Sequence, residues 1–371
     1  MKIAIIGAGP GGLYAALAAI KQNIQVDLFE KSKVGDGIVC GECIFDSLGI
    51  MNQPGKGLLH PVSEVVFKGR RDYTFPVSRY RKLLMMDRRS WQQGLARLTR
   101  SLGVVLFENT KITPVRLRQM QKEYDWILDA GGAPSTTSRA YQFADDYFKE
   151  YLLAYQLVLA GNFSTLMPRI KIIFSPNIPD CLQPAYYWIF PKDDGQANAG
   201  VVCTVRGTIG KDQLDLKKML ADVLDEECLG DAAVIEKGGG IATTRMLPHL
   251  IYDNILLVGD AAGLTSPLHG GGIDMACLSG VLAVDAISGG REGVAAYGKK
   301  LQNCLLEKIA LEKFIIHQMR TMSFDQFDKL LSDVTSKSKI IRLKTALRHP
   351  YLLYLTIKWL GKKNEEPAWP V

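Results

Sequence analysis

Lys2-Ile3-Ala4-Ile5-Ile6-Gly7-Ala8-Gly9-Pro10-Gly11-Gly12 decides the fold. A short apolar run of strand length feeds directly into G-x-G-x-x-G at Gly7, Gly9 and Gly12, and an Ala- and Leu-rich helix follows to about Gln22. Gly7 permits a tight turn, Gly9 lets backbone approach a pyrophosphate, and Gly12 lets the helix pack on the strand. The helix, opening at Gly11, points its N-terminal dipole at the phosphates. A second strand, Gln25-Val26-Asp27-Leu28-Phe29, ends on Glu30, about 20 residues past the glycines. A carboxylate there accepts hydrogen bonds from both ribose hydroxyls and repels a 2′-phosphate. Strand, glycines, helix, strand and terminal Glu in this order predict an adenosine diphosphate site. The Lys before an apolar run also resembles the start of a signal peptide, but Gly-Pro-Gly-Gly interrupts it too early. The expectation is a chain that starts as folded protein in the cytoplasm.

The composition agrees with a large enzyme-sized core. The chain has 371 residues, 47% of them hydrophobic, enough for one large or two intimately joined domains. Its seven cysteines are scattered, odd in number and without paired zinc-ligand spacing, which points to a reducing compartment and no metal site. The net charge of +7 is modest, so its distribution matters more than its size. No uncharged apolar run reaches about 18 residues, the length needed to span a bilayer.

After Glu30, glycines at 35, 37 and 41 make a loop that allows close backbone approach to a ligand and carries Cys40-Gly41-Glu42-Cys43. The C-x-x-C spacing lacks the strand-to-helix setting of a dithiol redox motif, which favours loop packing or cofactor contact for Cys40 and Cys43. Val65–Phe67 and Tyr73–Phe75 read as a hairpin, with Arg79, Arg81 and Lys82 beyond it. Asp87 is placed to cap a helix whose apolar face is Trp91, Leu95, Leu98 and Leu102. Arg88 and Arg89 at its start oppose the helix dipole, so they either hold an anion or stand in solvent. Val104–Phe107 and Asp125–Asp129 are further strands, the second leaving through Ala130-Gly131-Gly132, suited to close approach of a cofactor.

From about Tyr151 to Arg206 the runs become longer and β-type: Leu152–Leu159, Ile170–Phe174, Tyr186–Phe190 and Ala199–Val205. This shift predicts a mostly antiparallel sheet domain inserted in the nucleotide-binding one. Tyr186-Tyr187-Trp188-Ile189-Phe190 is either a core strand or the wall of a hydrophobic ligand pocket. The chain then returns to the first domain. Ile255–Val258 is a strand, and Gly259-Asp260-Ala261-Ala262-Gly263 sets a carboxylate at its carboxyl end, where open α/β sheets bind ligands. Gly270-Gly271-Gly272-Ile273 leads into a helix of small residues, so a second backbone-exposing loop meets a helix N-terminus.

From Arg291 onward the pattern is helical. Between Asp333 and Glu365 there is no acidic residue, while eight Lys or Arg accompany Tyr351–Ile357 and Trp359-Leu360. The stretch 337–363 therefore reads either as a membrane-surface segment or as a docked helix with a solvated basic face. No recognised nucleic-acid module accompanies the charge.

Taken jointly, these motifs resemble the FAD-dependent geranylgeranyl reductase family, within the flavoprotein group that includes aromatic-ring hydroxylases. The match spans most of the chain: Gly7-x-Gly9-x-x-Gly12 with Glu30, Cys40-Gly41, Asp87-Arg88, Tyr186-x-Trp188-x-Phe190-Pro191, Asn198-Ala199-Gly200, and Gly259-Asp260-Ala261-Ala262-Gly263 through Pro267 to Gly272-Ile273. The resemblance implies that Cys40-Gly41 lie beside the flavin, Arg88 lies near the pyrophosphate, and Asp260 binds the ribityl chain. It also implies that the Gly271-Gly272-Ile273 backbone faces the pyrimidine, and that Tyr186, Trp188 and Phe190 contact substrate. The family loop usually reads Cys-Gly-Gly, whereas Glu42 and Cys43 follow here, and His269 stands in the flavin-facing loop.

The implied architecture is α/β. A discontinuous Rossmann-like FAD-binding domain takes residues 1–60, 87–145 and 250–290. A β-sheet substrate domain takes 61–86 and 146–249, and a helical region takes 291–371. The implied reaction reduces carbon–carbon double bonds of an isoprenoid lipid, with hydride from flavin N5 and a proton from Cys40, Tyr187 or His269. No second dinucleotide fingerprint appears, so electrons come from transiently docked NAD(P)H, from ferredoxin or from a quinol. A monooxygenase or halogenase of an aromatic compound would use the same cofactor motifs, and a non-enzymatic prenyl-lipid escort would use a related architecture. The expected setting is cytoplasmic, peripheral to the inner face of the membrane.

Overall fold

The computed structural model describes residues 1–49, 56–77, 82–207, 214–341 and 344. Lys2–Ile6 lies inside a six-stranded sheet ordered Ile251–Tyr252, Ile255–Leu257, Trp126–Asp129, Lys2–Ile6, Gln25–Phe29 and Val105–Phe107. Its pairs are parallel except that of the two-residue edge strand. Strands of a parallel sheet are covered on both faces, which is why they read as near-continuous apolar runs. Ile3, Ala4, Ile5, Leu256 and Leu257 are all fully buried. Because the strands run the same way, Gly7, Glu30, Ala130 and Gly259 all leave at one edge, the edge where such sheets bind ligands.

Two helices rich in small residues, Pro10–Lys21 and Ile273–Ser288, pack against each other over this sheet. A side chain at Gly280 would collide with the Gly11 carbonyl oxygen, so the approach is backbone to backbone. Asp87 caps Arg88–Ser101 as expected, accepting from the Ser90 N–H at 3.0 Å. Its buried face differs from the expected stripe: Trp91 and Leu95 are joined by Gln92, Ala96 and Thr99, while Leu98 and Leu102 are 37% and 48% exposed. The helix packs on Pro10–Lys21 and on the edge strand Val105–Phe107, at the margin of the sheet, where its outer flank stays wet.

The β-type runs form a seven-stranded sheet ordered Ala233–Thr243, Glu150–Ala160, Gln196–Arg206, Ala185–Pro191, Arg169–Ile173, Glu64–Lys68 and Asp72–Pro76. All neighbours are antiparallel except Arg169–Ile173 with Glu64–Lys68. Of residues 61–86, assigned above with 146–249 to one β-sheet domain, the hairpin Glu64–Lys68 and Asp72–Pro76 joins this sheet. Lys82–Met86 instead pairs with Cys43–Asp46 and Leu58–Pro61 in a separate three-stranded sheet.

The C-terminal region is helical, Gly290–Thr321 and then Phe324–Thr335. The shorter helix opens on a capping box of Ser323 and Gln326. It docks on the hairpin, where Asp328 accepts from the Arg70 N–H at 2.7 Å and the Tyr73 hydroxyl at 2.9 Å. No helix among the described residues is long and apolar enough to cross a membrane. Most of the basic stretch 337–363, with Arg79 and Arg81, lies outside the described residues.

Candidate functional site

The nucleotide end is built on the first turn. Side chains at Gly7 and Gly12 would strike the Ala130 and Gly7 carbonyl oxygens, whereas nothing lies within 4 Å of a side-chain position at Gly9. Gly9 is thus the open glycine, suited to a ligand. Gly11 faces Val258 and Ala276 and serves helix packing. Glu30 Oε2 accepts from the Ala8 N–H at 2.8 Å and Oε1 from the Ser32 N–H at 3.2 Å, which fixes the carboxylate across the turn with lone pairs to spare. Gly131 is held by Asp129, a fully buried carboxylate that accepts from the Gly131 N–H at 3.0 Å and the Thr137 N–H and hydroxyl at 2.8 and 2.6 Å. Burial pushes the Asp129 carboxyl up, and these donors act against it.

Asp260 sits in the single turn Gly259–Ala262, which other elements pin from three sides. Tyr147 donates to the Ala261 carbonyl at 2.6 Å, Tyr297 to the Leu257 carbonyl at 2.8 Å, and Ser279 Oγ accepts from the Gly259 N–H at 2.9 Å. Burial raises the Asp260 carboxyl, opposed by the Thr265 hydroxyl at 3.1 Å and by the charge of Arg88. Gly272 adjoins it: a side chain there would meet the Leu264 carbonyl oxygen at 2.9 Å and Asp260 Oδ1 at 3.5 Å. Ile273 starts the 16-residue helix, so Asp260, Gly271, Gly272 and Ile273 share one corner with a helix N-terminus.

Arg88 begins Arg88–Ser101 with its backbone N–H on Glu42 Oε1 at 3.0 Å and its guanidinium on Gln92 Oε1 at 2.6 Å. Glu42 is buried at φ 60° and also receives Lys192 Nζ at 2.5 Å. Glu42, one of the departures from the family loop, thus anchors the Cys40–Cys43 segment to a lysine that follows the aromatic strand.

That strand forms the opposite wall. Tyr186, Trp188 and Phe190 alternate onto one face, with ring centroids 6.3 and 6.1 Å apart in succession. Gly41 lies against it, since a side chain there would come within 3.2 Å of the Phe190 ring and 3.3 Å of Trp188 Nε1. Asn198 fixes both: Trp188 Nε1 donates to its Oδ1 at 2.8 Å, and its Nδ2 donates to the Cys40 carbonyl at 3.1 Å. Cys40 Sγ accepts from the Glu42 N–H at 3.3 Å. Cys43 belongs to the strand Cys43–Asp46, and burial pushes its thiol up, away from thiolate chemistry; both cysteines are free. Tyr187 is not brought to this face. Strand alternation turns it into the core with Val201, Leu220 and Val223, where burial pushes its hydroxyl up to about 12.

His269 is in the corner but has both ring nitrogens turned inward. Nδ1 accepts from the Gly271 N–H at 3.2 Å, and Nε2 lies 3.5 Å from Glu312 Oε1. Its carbonyl takes the Tyr186 hydroxyl at 2.7 Å, tying the aromatic strand to the loop. Such geometry makes His269 a loop-holding residue rather than a donor facing a reactant. Sequence reasoning missed Glu42 as an anchor, together with Lys192, Tyr147, Lys308 and Glu312. Their signals are single polar residues in apolar or helical surroundings, which gain meaning only through partners distant in the chain.

Among the described residues, three buried side-chain polar atoms have no partner: Arg88 Nε, His269 Nε2 and Glu312 Oε2. A buried guanidinium N–H without an acceptor, near Asp260 and at a helix N-terminus, is what a bound anion would satisfy. With the open Gly9 and the Glu30 carboxylate, the residues present fit an FAD.

The parallel sheet, glycine turn and Asp260 corner define the class: this is the fold of flavin-dependent oxidoreductases. It is similar to a protein from Thermoplasma acidophilum described as geranylgeranyl bacteriochlorophyll reductase-like, with a TM-score of 0.76, 20% identity, and coverage of 97% of this chain and 98% of that one. It is also similar to a flavin-dependent brominase, with a TM-score of 0.67, 15% identity, and coverage of 97% and 94%. In sequence the resemblance is narrower. The chain is 25% identical to the digeranylgeranylglycerophospholipid reductase of Thermoplasma acidophilum, over 90% of this chain and 91% of that protein. It is 26% identical to that of Methanothrix thermoacetophila over the same shares. No family model matches the chain.

Proposed function

We propose that this chain is an FAD-dependent oxidoreductase that saturates carbon–carbon double bonds of an isoprenoid lipid of geranylgeranyl type. The observation that carries the reading is the likeness, over nine-tenths of both chains, to proteins named digeranylgeranylglycerophospholipid reductase. The site geometry is in keeping with it, because Tyr186, Trp188 and Phe190 stand on one strand face against the Cys40-Gly41 loop, Trp188 buried and the other two half-buried, an apolar patch beside the proposed flavin position. Gly9 and Glu30 hold the adenosine half, Arg88 the pyrophosphate, Asp260 the ribityl chain, and the Gly272 and Ile273 amides the pyrimidine edge. When bound and reduced by the external donor, FAD would supply a hydride from N5 to one carbon of the double bond and be left oxidised. Of the three candidate proton donors, Cys40 is the one in the loop against Trp188, and it is assigned the protonation of the second carbon. Electrons enter from NAD(P)H, ferredoxin or a quinol.

The protein works at the cytoplasmic surface of the membrane, with the basic stretch 337–363 against anionic lipid headgroups. A monooxygenase or halogenase reading draws on the brominase likeness in fold. Oxygen dependence separates the two. Product analysis by mass spectrometry after anaerobic incubation with a prenyl lipid and a chemical reductant should show added hydrogens; a product formed only with oxygen overturns the reductase reading.

A further inference from the structure

Four ionisable side chains that the proposed reaction does not use meet beneath the flavin-facing loop. Lys308 and Glu312 lie one turn apart on Gly290–Thr321 and are 3% and 5% exposed. Lys308 Nζ donates to Ser47 Oγ at 2.6 Å and lies 3.4 Å from Asp274 Oδ2 and 3.5 Å from Glu312 Oε1. Ser47 donates to Asp274 Oδ2 through its hydroxyl and through its N–H at 3.2 Å. Glu312 Oε1 in turn lies 3.5 Å from His269 Nε2, and His269 Nδ1 holds the Gly271 N–H. The chain of contacts thus runs from the first turn of helix Ile273–Ser288, through the C-terminal helix, back to the loop that opens that same helix.

As a device for stability this arrangement is poor. Taking charges out of water costs several kcal/mol per ion, and apolar side chains of similar volume often do as well or better. The pairing is also incomplete, since His269 Nε2 and Glu312 Oε2 lack partners and 3.5 Å is long for a hydrogen bond. Burial raises the Glu312 carboxyl, yet His269, Lys308 and Ser266 together hold it below the ordinary range, as an anion. An anion facing Nε2 favours the proton on that nitrogen and leaves Nδ1 to accept from Gly271.

Resting on the flavin reading above, we propose that Lys308 and Glu312 are positioning residues for the flavin-facing loop. Glu312 orients the His269 ring, His269 fixes the Gly271 N–H, and the Gly272 and Ile273 amides are thereby kept beside Asp260. Lys308 holds Glu312 and Asp274 together, so the C-terminal helix is part of the cofactor site.

The test uses the full chain with Glu312→Gln, which keeps the shape, and with Lys308→Met combined with Glu312→Leu, which replaces the pair by apolar groups and leaves Asp274 to its hydrogen bonds from Ser47. In FAD-free protein, hydrogen exchange at residues 269–273 should speed up about tenfold in both variants, as for one lost hydrogen bond, while exchange in the parallel sheet stays unchanged. In FAD-loaded protein, the flavin midpoint potential should move to more negative values as amide donors leave the pyrimidine edge, and Glu312→Asp should restore part of the shift. Unchanged exchange overturns the proposal. So does faster exchange with an unchanged potential and flavin spectrum, which would make the pair purely structural. Failure of the unaltered protein to take up FAD refutes the flavin reading separately, since the exchange measurement needs no cofactor.

Discussion

Asn198 donates its side-chain amide to the Cys40 carbonyl oxygen at 3.1 Å, joining the strand Gln196–Arg206 to the loop that faces the proposed flavin position. The same side chain accepts from Trp188 Nε1 at 2.8 Å and is itself buried. Asn198→Leu would leave two polar groups without partners, and each such group costs about 1–3 kcal/mol. Chemical denaturation should show a loss in that range or somewhat larger, with weaker FAD retention. Unchanged stability and retention would mean that the loop is held elsewhere.

Asp260 sets function against stability. Burial raises its carboxyl, so the folded state binds a proton there more tightly than the unfolded chain, and the ionised group opposes folding above its folded pKa. Asp260→Asn should therefore stabilise the FAD-free protein at pH 7. On the proposed assignment of Asp260 to the ribityl chain, Asp260→Ala would cost one charge-assisted hydrogen bond, about 1.5–3 kcal/mol, or roughly ten- to a hundredfold in FAD affinity. Fluorescence titration with FAD checks the second effect and thermal unfolding the first.

Glu227 ties two strands of the large sheet, accepting from Lys171 Nζ at 2.7 Å and from Lys68 Nζ. Burial would raise its carboxyl, but the two lysines outweigh burial and hold it below its ordinary 4.5. A depressed carboxylate contributes stability that is fully present above the unfolded value and is lost as pH falls through the folded one. Glu227→Gln should destabilise the protein at pH 7 and remove part of the decline in stability below about pH 4.5. Urea midpoints measured from pH 7 to pH 3 check this; parallel curves for both proteins would contradict it.

The basic stretch at the end of the chain gives a separable prediction. Removal of residues 350–363 should reduce sedimentation with anionic vesicles and turnover of membrane-embedded lipid, while FAD content and turnover of detergent-solubilised lipid stay close to those of the full chain. Equal sedimentation of both forms would make this stretch a docked structural segment.

The parallel sheet was legible because its strands are apolar runs with glycine exits, as in Lys2–Ile6 with Gly7 and Ile255–Leu257 with Gly259. Other parts were hidden for physical reasons. Ala233–Thr243 contains Gly238-Gly239-Gly240, which reads as a loop, and becomes a strand only through pairing with Glu150–Ala160. Cys43–Asp46 and Lys82–Met86 are short, and neither shows which partner it will find. At the site, Tyr186, Trp188 and Phe190 were singled out by the resemblance, and strand alternation, which puts these three on one face, should have removed Tyr187 from the list of proton donors. Lys308 and Glu312 stand at i,i+4 spacing, which a sequence cannot tell from a surface pair, and only their burial against Ser47, Asp274 and His269 sets them apart.

The most direct measurement is a single anaerobic turnover of the reduced holoenzyme. Protein loaded with FAD and reduced chemically, with excess reductant removed, is mixed with a geranylgeranyl-type lipid under strict exclusion of oxygen, and the flavin absorption and lipid mass are followed together. The oxidised flavin band should return as the lipid gains two hydrogens per flavin reoxidised, with no oxygen needed. A flavin that stays reduced until oxygen is admitted, with the lipid unchanged, would contradict it.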